Sequence, residues 1–154
     1  LAAGLAQQLR DEGESSPMGQ VLVYPALDDR SGCYPSVERY SGAVWTRRAN
    51  TQMWSGYLKN GFQESEGHAV PLRAADFSLL PPAYIEPQGI DLLRDEGTAY
   101  GERLREAGVP VQVNIIEGSY HGFDTDVENP FVQSVLEQRV RAMAGMLADH
   151  KNEE

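Results

Sequence analysis

Three short apolar runs, QVLVYP at 20–25, PAYIEP at 82–87 and PVQVNIIEG at 110–118, constrain this chain more than any other feature. Each is rich in Val, Ile and Tyr, too brief for a stable helix and closed by proline or glycine, which is the pattern of a buried strand. Between the second and third, Leu93, Tyr100, Leu104 and Ala107 recur at helical spacing, and Gly108 with Pro110 just beyond ends that helix. Parallel strands need such crossover helices, so strand, helix, strand predicts an α/β fold with a narrow parallel sheet of about three strands covered on both faces.

Other helices are expected around this sheet. LAAGLAQQLRDEG places Leu1, Leu5 and Leu9 on one stripe among alanines and stops at Gly13. It starts inside a helical pattern, with neither Met nor a cap residue in front, and reads as cut from something longer. Thr46 can cap a helix to about Lys59, with Ala49, Met53, Trp54, Tyr57 and Leu58 on one face. The last helix is expected from Pro130 to Ala148, with Val132, Val135, Leu136, Val140, Met143 and Leu147 on its apolar side, Arg139 mostly elsewhere, and HKNEE as a frayed tail.

At 154 residues the chain suits one domain with one core, and 41% hydrophobic residues set it apart from a disordered chain. No apolar run approaches the ~20 residues of a membrane-spanning helix, and no secretion signal is visible. The lone Cys33 excludes a disulfide framework, so a cytoplasmic location is expected. A formal charge of −10 argues against nucleic acid or an anionic membrane as partner, because both are bound chiefly through Lys and Arg.

In open parallel sheets, reactive groups sit just after the strands. The second run is followed by Asp91, Asp95 and Glu96, the third by His121 with a glycine beside it. A carboxylate and a histidine on neighbouring strand ends can meet, the carboxylate orienting the imidazole while the histidine works as a general base. Asp91 also reads as an N-cap, the commoner role for Asp at a helix start. Asp95 and Glu96 suit the helix dipole and are read as structural. His68, His150 and Cys33 lack any such setting. Trp45, Trp54, Tyr57 and Phe62 read as a packed cluster, although an apolar lid would use the same residues.

Taken together, LAAGLAQQLRDEG, QVLVYPALDDR, PLRAADFSLLPPAYIE, DLLRDEGTAYGERLREAGVPV and EGSYHGFD resemble, in order and spacing, the C-terminal half of hormone-sensitive-lipase-like esterases. The family reads D-P-L-R-D-E-G where this chain has DLLRDEG, and H-G-F where it has YHGF. The resemblance implies an α/β-hydrolase fold in which Asp91 is the acid and His121 the base of a Ser-His-Asp triad. It implies a nucleophile in a G-D-S-A-G-G elbow a few residues before Leu1 and an H-G-G-G oxyanion segment further upstream. Residues 30–70 then correspond to a cap-like insertion forming one wall of the acyl pocket. Leu92 departs from the family proline, and Glu86-Pro87-Gln88-Gly89 stands where a small-residue stretch such as T-A-E is usual. Pro87 lacks an N–H for strand pairing, so the strand end there is open.

No local serine replaces the nucleophile: Ser119 is too near His121 along the loop, and Ser15, Ser16 and Ser41 sit in no elbow. The expected function is hydrolysis of short-chain acyl esters by the complete protein, requiring no cofactor or metal, with this chain inactive alone. Two other readings stand beside it: an interaction module forming a homo-oligomer through an exposed sheet edge, and an amidase or peptidase of the same fold.

Overall fold

The structure, a computed structural model, describes residues 1–15, 17–42, 44–61 and 68–153, with the backbone alone for Ser31 and 149–153. Ser16 and Phe62 therefore lie outside the described residues.

The first strand, β1 (Gln20–Val23), pairs in parallel with β2 (Ala83–Glu86), which pairs in parallel with β4 (Val111–Val113). A second parallel ladder joins β3 (Gln88–Ile90) to β5 (Ile116–Tyr120), with a register shift between Gln88 and Ile90. The third expected run is thus broken in two, and beyond the second, which stops before Pro87, stands a strand, β3, that was not expected. Pro87 is the physical reason on one side, because it has no N–H to donate. Two bonds bridge the break: Asn114 N–H donates to the Ile85 carbonyl at 2.8 Å and Ile116 N–H to the Pro87 carbonyl at 2.9 Å.

Alternation along β2 divides the two faces. Ala83 and Ile85 enter the main core with Leu22, Leu27, Phe77, Leu80 and Leu104, under α1 (Ala2–Asp11) and α4 (Arg94–Glu106). Tyr84 and Glu86 face the other way, toward α5 (Pro130–Glu153): the Tyr84 hydroxyl accepts from Asn114, whose amide also donates to Gln138 of α5. A smaller cluster of Ile116, Phe123, Val132 and Val135 seats the start of α5 on β5.

Several helix faces differ from expectation. In α1 the buried side is Ala3, Gly4, Ala6 and Gln7, whereas Leu1 and Leu5 are 90% and 55% exposed. Close approach decides this: a Cβ on Gly4 would lie 2.0 Å from the His68 carbonyl oxygen, so the small side seats where the leucines do not fit. In α5 only the first half of the apolar stripe is buried; Val140, Met143 and Leu147 are exposed, and the helix continues to Glu153 through the expected tail. Thr46 caps α3 (Arg47–Tyr57) as expected, accepting from Ala49 N–H at 3.1 Å. The inner face of α3 is Asn50 and Trp54, while Tyr57 is exposed. A short helix absent from the expectation, α2 (Pro35–Arg39), is tied to the start of α4: Asp95 accepts from Ser36 N–H, and Ser36 donates to the Leu92 carbonyl.

No helix among the described residues is long and apolar enough to cross a membrane.

Candidate active site

β3 carries Asp91 at its end and β5 carries His121, so the second ladder brings the two expected site residues side by side. The side chain of Asp91 is 1% exposed, and its two oxygens divide their duties. Oδ1 accepts from Leu93 N–H at 3.1 Å as α4 begins, and Oδ2 meets Nδ1 of His121 at 2.8 Å. With Oδ2 as acceptor, the neutral imidazole carries its proton on Nδ1 and keeps the lone pair on Nε2. That is the tautomer a general base needs.

The backbone around His121 is built for its presentation. Gly122, at φ 73°, takes a left-handed conformation that costs a glycine little and turns the chain into the short 3₁₀ helix Phe123–Thr125. On one side the ring of Tyr24 lies 4.6 Å from the imidazole; Trp45 stacks on it at 5.0 Å with the planes 22° apart. Tyr24 itself sits at φ 37°, a strained value for a tyrosine, directly after β1. Trp45 is held by its indole N–H, which donates to Asn50 Oδ1 at 3.2 Å.

These rings open into a cavity of about 440 Å³, lined by His121, Tyr24, Trp45, Met53, Trp54 and Tyr57 among others. The aromatic residues expected as a closed cluster therefore only partly pack together, Trp54 edge-on to Tyr57 at 5.9 Å, and otherwise form a wall beside the histidine. A mostly apolar cavity with one convergent imidazole suits a small, largely apolar substrate.

The other sequence candidates lie elsewhere. Asp95 holds α2, and Glu96, fully buried, accepts from the backbone N–H groups of Leu27 and Asp28 at 2.7 and 3.4 Å. Burial pushes Glu96 up to about 8, so its carboxyl is largely protonated at neutral pH. Ser119 is buried, its hydroxyl engaged by Gln88 and by the Ile116 carbonyl rather than by His121. His68 pairs with Asp11 at 2.8 Å, and Cys33 is exposed.

Sequence reasoning missed Arg139 and Glu86. Glu86 is fully buried at the end of β2, and Arg139 of α5 forks onto it at 2.7 and 3.2 Å. A glutamate in an otherwise apolar strand was the available signal, since a buried carboxylate requires a partner.

Parallel strands with helices on both faces, and an aspartate and a histidine on adjacent strand ends, define an α/β hydrolase architecture. A family model described as the alpha/beta hydrolase fold matches residues 1–125. Esterase LipI of Mycobacterium tuberculosis is 37% identical over 128 residues, covering 80% of this chain and 39% of LipI. The ethyl acetate hydrolase of Pseudomonas putida is 36% identical over 126 residues, again covering 80% of this chain and 39% of the relative. The crystal structure of esterase LipW from Mycobacterium marinum superposes with a TM-score of 0.85 at 31% identity, covering 94% of this chain and 46% of that one. The chain belongs to the hormone-sensitive-lipase-like carboxylesterase family of α/β hydrolases. It spans less than half the length of these relatives.

Proposed function

We propose that this chain supplies the acid and the base of a Ser-His-Asp triad that hydrolyses short-chain acyl esters, the serine coming from residues outside it. The observation that carries this reading is the buried Asp91 carboxylate bonded to Nδ1 of His121. In the complete protein His121 Nε2 takes the serine hydroxyl proton as the oxygen attacks the ester carbonyl, then returns it to the leaving alkoxide. Water, deprotonated by the same nitrogen, cleaves the acyl-enzyme. Asp91 holds the ring and stabilises the imidazolium formed in both steps. Residues 30–70 act as a cap-like wall of the acyl pocket, through Trp45, Met53, Trp54 and Tyr57. The names of the relatives support an ester as substrate.

The test is release of p-nitrophenol from a short-chain p-nitrophenyl ester. This chain, the protein with an upstream serine-bearing half joined to it, and His121→Ala in that longer protein are compared. Activity confined to the longer protein, with loss on the order of 10⁶ in His121→Ala, is expected. Turnover by this chain alone, abolished by His121→Ala, would place a nucleophile within it and sink the division of labour proposed here.

One observation favours a second use of the same chain. Among the described residues β1 is paired by β2 on one side only, and an edge open in this chain takes up another strand, from a second copy or from the upstream half of the complete protein. Sedimentation velocity decides whether a second copy does so: a concentration-dependent dimer supports self-pairing, and a monomer at all concentrations rejects it.

A further inference from the structure

The cluster that the proposed chemistry leaves unused lies directly behind the histidine. Two carboxylates share one guanidinium there: Arg139 donates through Nη2 and Nε to Glu86, at 2.7 and 3.2 Å, and through Nη2 to Asp124 Oδ2 at 3.0 Å. Asp124 stands in the 3₁₀ helix that follows His121, and its other oxygen accepts from the Tyr24 hydroxyl at 3.2 Å. Tyr24 in turn lays its ring against the imidazole. One side chain of α5 therefore fastens three things to the end of β2: the loop that carries the histidine, the strained turn after β1, and the ring that borders the imidazole.

The energetics favour a rigid anchor over an incidental surface contact. Glu86 is fully buried and Arg139 and Asp124 are 15% and 13% exposed, so solvent screens these bonds little. Forked guanidinium-carboxylate bonds fix direction as well as distance. A buried carboxylate at this position is tolerable only while its partner stays in place.

We propose that Arg139 is a positioning residue for His121, acting through Asp124 and Tyr24. The inference rests on the reading of His121 as the base. Arg139 touches neither the imidazole nor the cavity's apolar wall; it sets where the imidazole stands and keeps Nδ1 in line with Asp91.

The proton of the His121–Asp91 bond reports on this directly, as a low-field resonance of ¹⁵N-histidine-labelled chain whose exchange with water measures how well the ring is held. Asp91→Ala is made first and is expected to remove the resonance. Arg139→Gln is made together with Glu86→Gln, so that no lone carboxylate stays buried. In this double variant the resonance is expected to broaden and exchange about tenfold faster, the equivalent of losing one hydrogen bond's restraint, while amide signals of β1 and β2 keep their positions. Arg139→Lys restores part of the protection. Asp124→Asn and Tyr24→Phe, which leave the Arg139–Glu86 pair intact, are expected to move exchange the same way by less, and they decide the matter should the double variant lose its amide dispersion. If exchange in these variants matches the parent while Asp91→Ala abolishes the signal, Arg139 is no more than a structural pair and the proposal falls. If Asp91→Ala leaves the signal unchanged, the acid-base reading itself is at fault. In the ester-hydrolysing protein the same variants lower kcat with KM unchanged.

Discussion

Asp91 has two readings in the sequence, helix cap and triad acid; the cap position of α4 is taken by Leu93 without a side-chain cap bond, and Asp91 stands two residues ahead of it, one oxygen accepting from Leu93 N–H in a local turn and the other meeting Nδ1 of His121. Neither is legible alone, because a cap and a triad acid both call for an Asp just after a strand. Asp91→Asn tests the acid reading: ester hydrolysis by the longer protein is expected to fall by about 10⁴, the cost of an ill-set tautomer, whereas the amide oxygen still accepts from Leu93 N–H and the melting temperature is expected to change little. Activity measured beside a melting curve checks both. Glu96 behaves differently, since nothing in DLLRDEG tells which acid ends up dry. Its carboxyl is raised by burial from 4.5 to about 8. Between those values the unfolded chain has released the proton that the folded chain keeps. The group's contribution to stability is thus complete below pH 4.5 and is lost as pH rises through about 8. Glu96→Gln removes that titration, so its melting temperature should change less between pH 5 and pH 8 than the parent's. Equal pH slopes for the two proteins would show that Glu96 is already ionised in the fold.

At the scale of elements, the strands and their parallel order were legible, because short β-branched runs separated by a helix leave few alternatives. Their interruption was less legible: Pro87 left the end of the second run open without pointing to β3 beyond it, and the matching break between β4 and β5 has no local signal. Helix faces were misread where backbone distance rather than hydrophobicity chose the buried side, as in α1. Gly101 of α4 tests the same principle. A Cβ there would stand 2.3 Å from Val113 Cγ2 and 3.4 Å from Ile85 Cδ1, so α4 lies on β2 and β4 at a distance only glycine permits. Gly101→Ala gains helix propensity of up to about 1 kcal/mol but overpacks this contact at a cost of about 1–3 kcal/mol. A net loss of stability in urea unfolding is expected, relieved when Val113→Ala is added. A plain gain would mean that α4 stands further off.

At the scale of the whole chain, the sequence indicated which residues are apolar, and among the described residues several are exposed in a chain that spans less than half the length of its relatives. Val140, Met143 and Leu147 form an open stripe on the second half of α5, at 59%, 37% and 47% exposure. Contiguous apolar surface of this kind drives association. Val140→Lys with Leu147→Glu should lower the sedimentation coefficient at high concentration if the stripe associates, and leave it unaltered if β1 alone does. The two ladders, joined across the break by the Asn114 and Ile116 bonds, carry a further consequence. Asp91 and His121 both hang from the smaller ladder, β3 with β5, whereas the main core is gathered on the larger one. Hydrogen bonds of a short two-stranded ladder open more readily than those of a core sheet. On warming, Asp91 and His121 are expected to part company while β1, β2 and β4 still hold together, so that the Nδ1–Oδ2 bond is lost at a lower temperature than the fold melts. Heat tolerance of this pair and heat tolerance of the sheet would then be two separate traits, each open to improvement without the other.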